Sequence, residues 1–146
     1  MKPQTFTWKK LTADELTRVY LDEMRRDFPP SELKPLSMIL NSEAVGMAHT
    51  WGVFEGETLV SYLLMVRPMG CEVSQLDYFS VLPAYRSTGI GAKLLAALPA
   101  HEEGAKAILI CNPSNPSGKV FTYDELKLIS ELCIKYDAFA IMDEVY

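Results

Sequence analysis

The sequence predicts an α/β fold, on three observations. Two stretches repeat their apolar residues at helical spacing, and each opens with a Thr-x-x-Glu capping signature. Short apolar stretches bounded by turn residues read as strands. The turns between them are built from Gly, Pro, Asn and Ser, which supply the backbone angles that turns need. At 146 residues the prior is one domain with a core large enough to fold alone, and neither repeats nor low-complexity tracts interrupt it.

Taken in order, residues 5–11 read as a short strand. Thr12-Ala13-Asp14-Glu15 then fits a capping box, the hydroxyl taking an orphan N–H while Glu15 reaches back. Leu16, Val19, Tyr20, Met24 and Phe28 come next on one helical face, and Pro29-Pro30 ends the helix. A shorter helix is expected over 32–40. Strands are expected over 50–54 and 59–66, joined by Glu55-Gly56-Glu57, and over 73–81 after a turn holding Pro68, Gly70 and Cys71. A helix over 89–98 is weakened near its end by Pro99, and Glu102-Glu103-Gly104 forms the best internal break. Beyond it come an apolar strand over 107–111, a capping box from Thr122 to Glu125 and a helix with Leu126, Ile129, Leu132, Cys133 and Tyr136 on one face. The last strand covers 138–142. Residues 106–111 are expected to supply a strand beside the one that ends at Val81, and the strand over 138–146 is the least secure element, because a strand–helix–strand unit of this kind favours a parallel crossover.

Composition narrows the functional classes. A net charge of -5 argues against a broad nucleic-acid footprint, although a local basic pocket for an anionic cofactor remains compatible with it. Cys71, Cys111 and Cys133 are scattered without a C-x-x-C pair, and read as reduced, small, buried residues. The first residues, with Lys2, Thr5, Lys9 and Lys10, lack the apolar core of a signal peptide, and no apolar run approaches the roughly 20 residues that span a bilayer. The expectation is a soluble, cytoplasmic protein with no membrane or nucleic-acid partner. His49 and His101 lack partners at metal spacing, so no metal site is expected. Trp8 and Trp51 read as packing residues and the methionines as core filler. Gly118-Lys119 does not make a P-loop, because Pro113 stands where the first glycine is needed and Val120 where Ser or Thr is needed.

The most informative stretch runs from Ser80 to Leu95. A strand enters a Pro83 turn, then Arg86, Ser87, Thr88, Gly89, Ile90 and Gly91 lead straight into an amphipathic helix. Glycines let a backbone approach phosphate oxygens without a Cβ in the way. The first amides of the helix have no intrahelical acceptor and stand at its positive end. Arg86 can add charge-assisted hydrogen bonds. Residues 76–95 resemble the acetyl-coenzyme A signature of the GNAT superfamily of N-acetyltransferases, V-x-P-x-x-R-x-x-G-x-G, and the upstream order of one strand, two helices and three strands is similar to that family as well.

The resemblance covers about residues 6–103 and implies an acetyltransferase-type fold, a mixed and largely antiparallel sheet with flanking helices. It also implies acetyl-coenzyme A as co-substrate. Val81 would offer backbone groups to the pantetheine arm or the acetyl carbonyl, while Arg86, Ser87, Thr88, Gly89, Ile90, Gly91 and Ala92 would surround the pyrophosphate. The reaction would be direct transfer of acetyl to an amine, on a small molecule or a protein, with a base taking the amine proton. Asp77, on the same strand as Val81, is the candidate base and Glu72 a poorer one. After the cofactor helix the family adds a splayed strand, a helix and a closing hairpin, and here the sequence departs from it.

In place of those elements stands Asn112-Pro113-Ser114-Asn115-Pro116-Ser117-Gly118, and later Ala140-Ile141-Met142-Asp143-Glu144-Val145-Tyr146. At that separation the two motifs resemble the cofactor domain of fold-type I, class I/II pyridoxal-phosphate aminotransferases. The match implies that Asn115 and Tyr146 address the phenolic oxygen of the cofactor and Asp143 its pyridinium nitrogen. The lysine that would hold pyridoxal phosphate would lie past Tyr146, and the family's upstream phosphate elements are replaced, so pyridoxal phosphate is not expected to bind and transamination is not expected.

The sequence thus reads as an acetyltransferase-like part over 1–104 joined to an aminotransferase fragment over 105–146, with the joint near 104–106. The leading expectation is an N-acetyltransferase-like protein that binds acetyl-coenzyme A. A non-catalytic chimera, either a coenzyme-binding module or a misfolding product, is the alternative, and a fragment of a pyridoxal-phosphate aminotransferase lacking its Schiff-base lysine the third reading.

Overall fold

The computed structural model of the chain describes residues 5–72, 74–101, 107–111 and 120–143. Two compact units emerge, one made of Met1–Cys71 with Leu76–Gly91, the other of Glu72–Gln75 with Ala92–Tyr146.

In the first unit a four-stranded antiparallel sheet has the order β1 (Thr7–Lys10), β2 (Ala48–Glu55), β3 (Thr58–Val66), β4 (Gln75–Val81). Antiparallel pairing of β1 with β2 runs from Thr7↔Phe54 to Lys10↔Trp51. The β2–β3 pair runs from Ala48↔Val66 to Glu55↔Thr58, with a bulge at Val53/Phe54. Only Gly56 and Glu57 link these two strands, and Gly56 takes φ 60°, the positive angle that a tight hairpin needs at its first turn position. Strand β3 is apolar on both faces, and Val60 through Met65 are all buried, as expected of a central strand covered on both sides.

Helices α1 (Ala13–Val19) and α2 (Arg25–Asp27) flank a π turn at Tyr20–Met24. Thr12 caps α1 as expected: its hydroxyl accepts from the Glu15 N–H, and the Glu15 carboxylate accepts from the Thr12 N–H. The π turn departs from the regular helix expected there. It inserts part of a turn into a helix whose apolar spacing still reads as continuous, so periodicity alone does not register it. The helix closes at Asp27, and Phe28 is extended at φ −122°, ψ 136°, the conformation preferred before a proline. The next helix, α3 (Leu36–Ala44), starts four residues later than the sequence suggested, because Pro35 disfavours helical backbone at Lys34 and instead stands at the N-cap.

Leu16, Val19, Met24 and Ile39 from the helices pack with Leu11, Ala48, Tyr62, Leu64 and Tyr78 in one core cluster. Phe28 meets Tyr78 edge-on at 5.0 Å between ring centroids. The crossing between α2 and α3 is pinned by phenols: Tyr78 donates to the Glu32 carbonyl and accepts from the Lys34 N–H, while Tyr20 donates to the Lys34 carbonyl. Toward the sheet edge, Trp8 and Trp51 meet edge-on at 6.1 Å, with the Lys10 ammonium 5.2 Å from the centre of the Trp51 ring.

Helix α4 (Ile90–His101) starts in the first unit and continues as an element of the second, running past Pro99 rather than stopping before it. The rest of the second unit is β5 (Ala107–Cys111), α5 (Tyr123–Lys135) and β6 (Phe139–Asp143). Strand β5 takes β6 as a parallel neighbour in register from Ala107↔Phe139 to Cys111↔Asp143. The expected capping box opens α5, with Thr122 and Glu125 exchanging hydrogen bonds. The turn into β6 places Asp137 at φ 50°, a region that Asp enters more easily than most residues.

Candidate functional site

The candidate site is the turn between β4 and α4. Strand β4 ends at Val81, Pro83 opens a single 3-10 turn (Pro83–Tyr85), and the Thr88 hydroxyl donates to the Tyr85 carbonyl at 2.6 Å, closing the loop on itself. From there the sign of φ alternates. Arg86 has φ −67°, Ser87 +61°, Thr88 stays outside the positive region, and Gly89 has +77° before the helix begins. With Arg86 extended at ψ 155°, the positive angles at Ser87 and Gly89 bend an exposed loop directly ahead of the first amides of a helix, which have no intrahelical acceptor. Ser87, Thr88 and Gly89 are exposed, while Ile90 is 3% exposed and anchors the start of α4.

The two glycines have different reasons to be there. A Cβ on Gly89 would meet nothing within 4 Å, yet its φ of +77° disfavours any side chain. Gly91 has an ordinary helical backbone, and a Cβ there would sit 3.6 Å from Val81 Cγ2, an ordinary contact. Among the described residues, neither packing nor conformation requires glycine at 91.

Arg86 does not reach outward along its full length. Its Nε donates to the Val81 carbonyl at 2.7 Å, and one terminal nitrogen donates to Asp27 Oδ1 at 2.9 Å and, at 3.4 Å, to the Ser80 hydroxyl. The carbonyl of Val81, expected to serve a ligand, is therefore taken by Arg86. Asp27 is the residue that sequence reasoning missed. Its side chain is 4% exposed and gathers the Tyr62 phenol and the Ser80 hydroxyl at 2.8 Å each, together with Arg26 and Arg86. Burial pushes the Asp27 carboxyl upward, but the hydrogen bonds from Ser80, Tyr62, Arg26 and Arg86 outweigh it and hold the group below the usual aspartate range. Burial, reinforced by the hydrogen bond to Asp27, pushes the Tyr62 phenol well above its usual range. A signal for Asp27 did exist. It lies three residues after Met24, on the helix's apolar stripe, and a polar residue on such a stripe is the informative exception.

Of the other expected residues, Asp77 accepts the Lys34 ammonium in an ion pair that joins β4 to the α2–α3 crossing. Glu72 is exposed and, like Ala92, belongs to the second unit. Of the positions assigned to pyridoxal phosphate, Asn115 and Tyr146 lie outside the described residues, as does the joint expected at 104–106, and Asp143 is placed only as the end of β6. Among the described residues no group of three His, Cys, Asp or Glu could hold a metal ion, and no helix is long and apolar enough to cross a membrane.

Comparison with known proteins gives two separate likenesses. The family model for aminotransferases of class I and II matches residues 61–146, a span that takes in β3 and β4 as well as the strand–helix–strand part. Kynurenine–oxoglutarate transaminase 3 of Bos taurus is 58% identical over 41 residues, 28% of this chain and 9% of that protein. An aspartate aminotransferase of Bacillus subtilis (strain 168) is 43% identical over 80 residues, 55% of this chain and 18% of that protein. The chain thus spans less than a fifth of the length of these two curated relatives. In fold, it is similar to a solved structure described as a GNAT-family acetyltransferase from Bacteroides thetaiotaomicron, with a TM-score of 0.56 and 19% identity over 66% of this chain and 56% of that one. A tandem GNAT protein from the clavulanic acid biosynthesis pathway gives a TM-score of 0.50 at 18% identity, over 88% of this chain and 43% of that one. These structures establish the acetyltransferase-type fold.

Proposed function

The chain belongs to the aminotransferase class I and II family through residues 61–146, and because it also carries an acetyltransferase-type fold, we propose that its first unit binds acetyl-coenzyme A at the β4–α4 turn and delivers the acetyl group to an amine. The observation that carries this reading is the exposed loop from Ser87 to Gly89, with positive φ at both ends, immediately ahead of α4, whose first backbone N–H groups are free of intrahelical acceptors and stand at its positive end. Glycine at 91 fits the same reading, since nothing among the described residues requires it and a close-lying diphosphate would.

In this scheme the amine nitrogen attacks the thioester carbonyl, the C–N bond forms, the C–S bond breaks, and coenzyme A leaves as the thiolate. The amine proton needs an acceptor. Asp77 stands on β4 ahead of Val81 and would take it, with the Lys34 ammonium beside it balancing the charge. The second unit supports a reading of descent rather than chemistry. In it, Cys111 and Asp143 close two parallel strands in register, as in the crossover units of α/β enzymes. Asn115, Asp143 and Tyr146 are read as vestigial pyridoxal-phosphate positions, and no binding of that group is proposed.

The test is a titration of the folded protein with acetyl-coenzyme A, monitored by calorimetry and by thermal unfolding. Saturation at a hundredfold excess over Kd stabilises the folded state by about 2.7 kcal/mol and raises Tm. Gly91→Leu is expected to abolish both signals while leaving the unliganded protein folded. A folded wild-type protein that shows neither heat nor a Tm shift rejects the reading.

A further inference from the structure

We propose that Asp27 is the positioning residue of the β4–α4 turn, clasping Arg86 against the end of the strand so that the turn meets its anion with backbone N–H groups rather than with the Arg86 charge. The inference rests on the coenzyme A reading above, and corrects the sequence expectation that Arg86 reaches the pyrophosphate.

Three observations carry it. First, the clasp joins distant parts of the first unit: Asp27 ends α2, Tyr62 lies in β3, Ser80 and Val81 end β4, and Arg86 starts the loop, 59 residues from Asp27. Second, the carboxylate is fully used. Oδ2 accepts from Tyr62 and Ser80, while Oδ1 accepts from Arg26 and Arg86, which accounts for the acceptor capacity of an ionised carboxylate. A carboxylate 4% exposed is tolerable only when paired and hydrogen-bonded in this way, so it holds Arg86 firmly. Third, Arg86 closes a short ring on its own chain through Nε to the Val81 carbonyl, five residues back. That ring fixes where the loop begins, and Ser87 at φ +61° then reverses the backbone into the alternating run. A non-glycine residue at such an angle is strained, and it persists where its surroundings over-determine it.

The experiment compares wild type with Asp27→Asn, Arg86→Gln and Arg86→Lys by two measurements. One is amide hydrogen exchange over residues 86–91 without ligand. The other is affinity for coenzyme A across a range of salt, set against affinity for pantetheine, which lacks the diphosphate. The expected result is exchange about tenfold faster over 86–91 in all three variants, and coenzyme A affinity about tenfold weaker, as befits the loss of a charge-assisted hydrogen bond. Pantetheine affinity should stay as in wild type, which a general loss of structure would not allow. The salt dependence for coenzyme A in Arg86→Gln should keep the wild-type slope, because no ligand-paired charge has been removed.

Unchanged exchange and unchanged or tighter coenzyme A binding in Asp27→Asn overturn the proposal. So does a flatter salt slope in Arg86→Gln together with recovery in Arg86→Lys, which would make Arg86 a direct ligand. If Asp27→Asn does not fold, the half-exposed Arg86 variants decide by the same criteria. If wild type does not bind coenzyme A, the functional reading falls, and the exchange measurement alone upholds or rejects the clasp.

Discussion

The Tyr62 phenol donates to the Asp27 carboxylate at 2.8 Å, from a fully buried place in the central strand to the last residue of α2. Neither partner has water to turn to. Tyr62→Phe removes one of the two donors on Oδ2 and leaves a buried charge short of a partner. The expected cost is about 1–3 kcal/mol, read as a lower midpoint in urea with an unchanged m-value.

Asp27 and Glu43 should tilt stability with pH in opposite directions. The folded Asp27 carboxyl lies below its usual 3.8, so its contribution is present above that value and is lost as pH falls through and below it. The deficit of Asp27→Asn against wild type should therefore shrink on acidification. Glu43, half-buried with the Thr50 hydroxyl donating to it at 2.7 Å, is raised above its usual 4.5 chiefly by loss of hydration, which the Thr50 hydrogen bond and nearby His49 only partly offset. Its protonated form suits the fold, so its contribution is present below that value and is lost as pH rises. Glu43→Gln should gain stability at neutral pH and lose that gain in acid. Urea midpoints at pH 7 and about pH 4 for Glu43→Gln, and at pH 7 and about pH 2.5 for Asp27→Asn, check the two signs.

Gly89→Ala and Gly91→Ala separate conformation from ligand approach. Placing a Cβ at φ +77° is expected to cost about 1–2 kcal/mol without any ligand. Gly91→Ala should hold or raise stability by up to about 1 kcal/mol, since alanine is the better helix former, yet weaken acetyl-coenzyme A binding. Thermal melts with and without the thioester distinguish the four cases.

Thr122→Ala tests the second unit. It removes the acceptor for the Glu125 N–H at the start of α5, a contact of 3.3 Å. A loss of about 1 kcal/mol is expected, visible as faster amide exchange in the first turn of α5.

The features legible in the sequence and those hidden from it divide by range. Both capping boxes, at Thr12 and Thr122, are local patterns of four residues, and both formed where they were read. The strands of the first sheet were legible because turn residues bracket them, with Gly56 the clearest case. The late start of α3 was missed because the apolar spacing at 33, 36, 39 and 40 hides the veto that Pro35 places on Lys34. In the site, the exposed loop from Ser87 to Gly89 was read from its glycine and small polar residues. Asp27 was not, since its partners stand 35, 53 and 59 residues away and no spacing rule reaches that far. The same distance concealed that Arg86 is tied to Asp27 and that Asp77 is held by Lys34.

The edge-on pair of Trp8 and Trp51 also gives the molecule an optical address. These are the chain's two tryptophans, and both sit in the first sheet at 6.1 Å from each other. Intrinsic tryptophan emission therefore reports the antiparallel sheet, whereas far-ultraviolet dichroism counts α4 and α5 along with the earlier helices. Superimposed melting curves from the two signals would mark a single cooperative transition, and displaced curves would time the departure of each half of this composite chain separately.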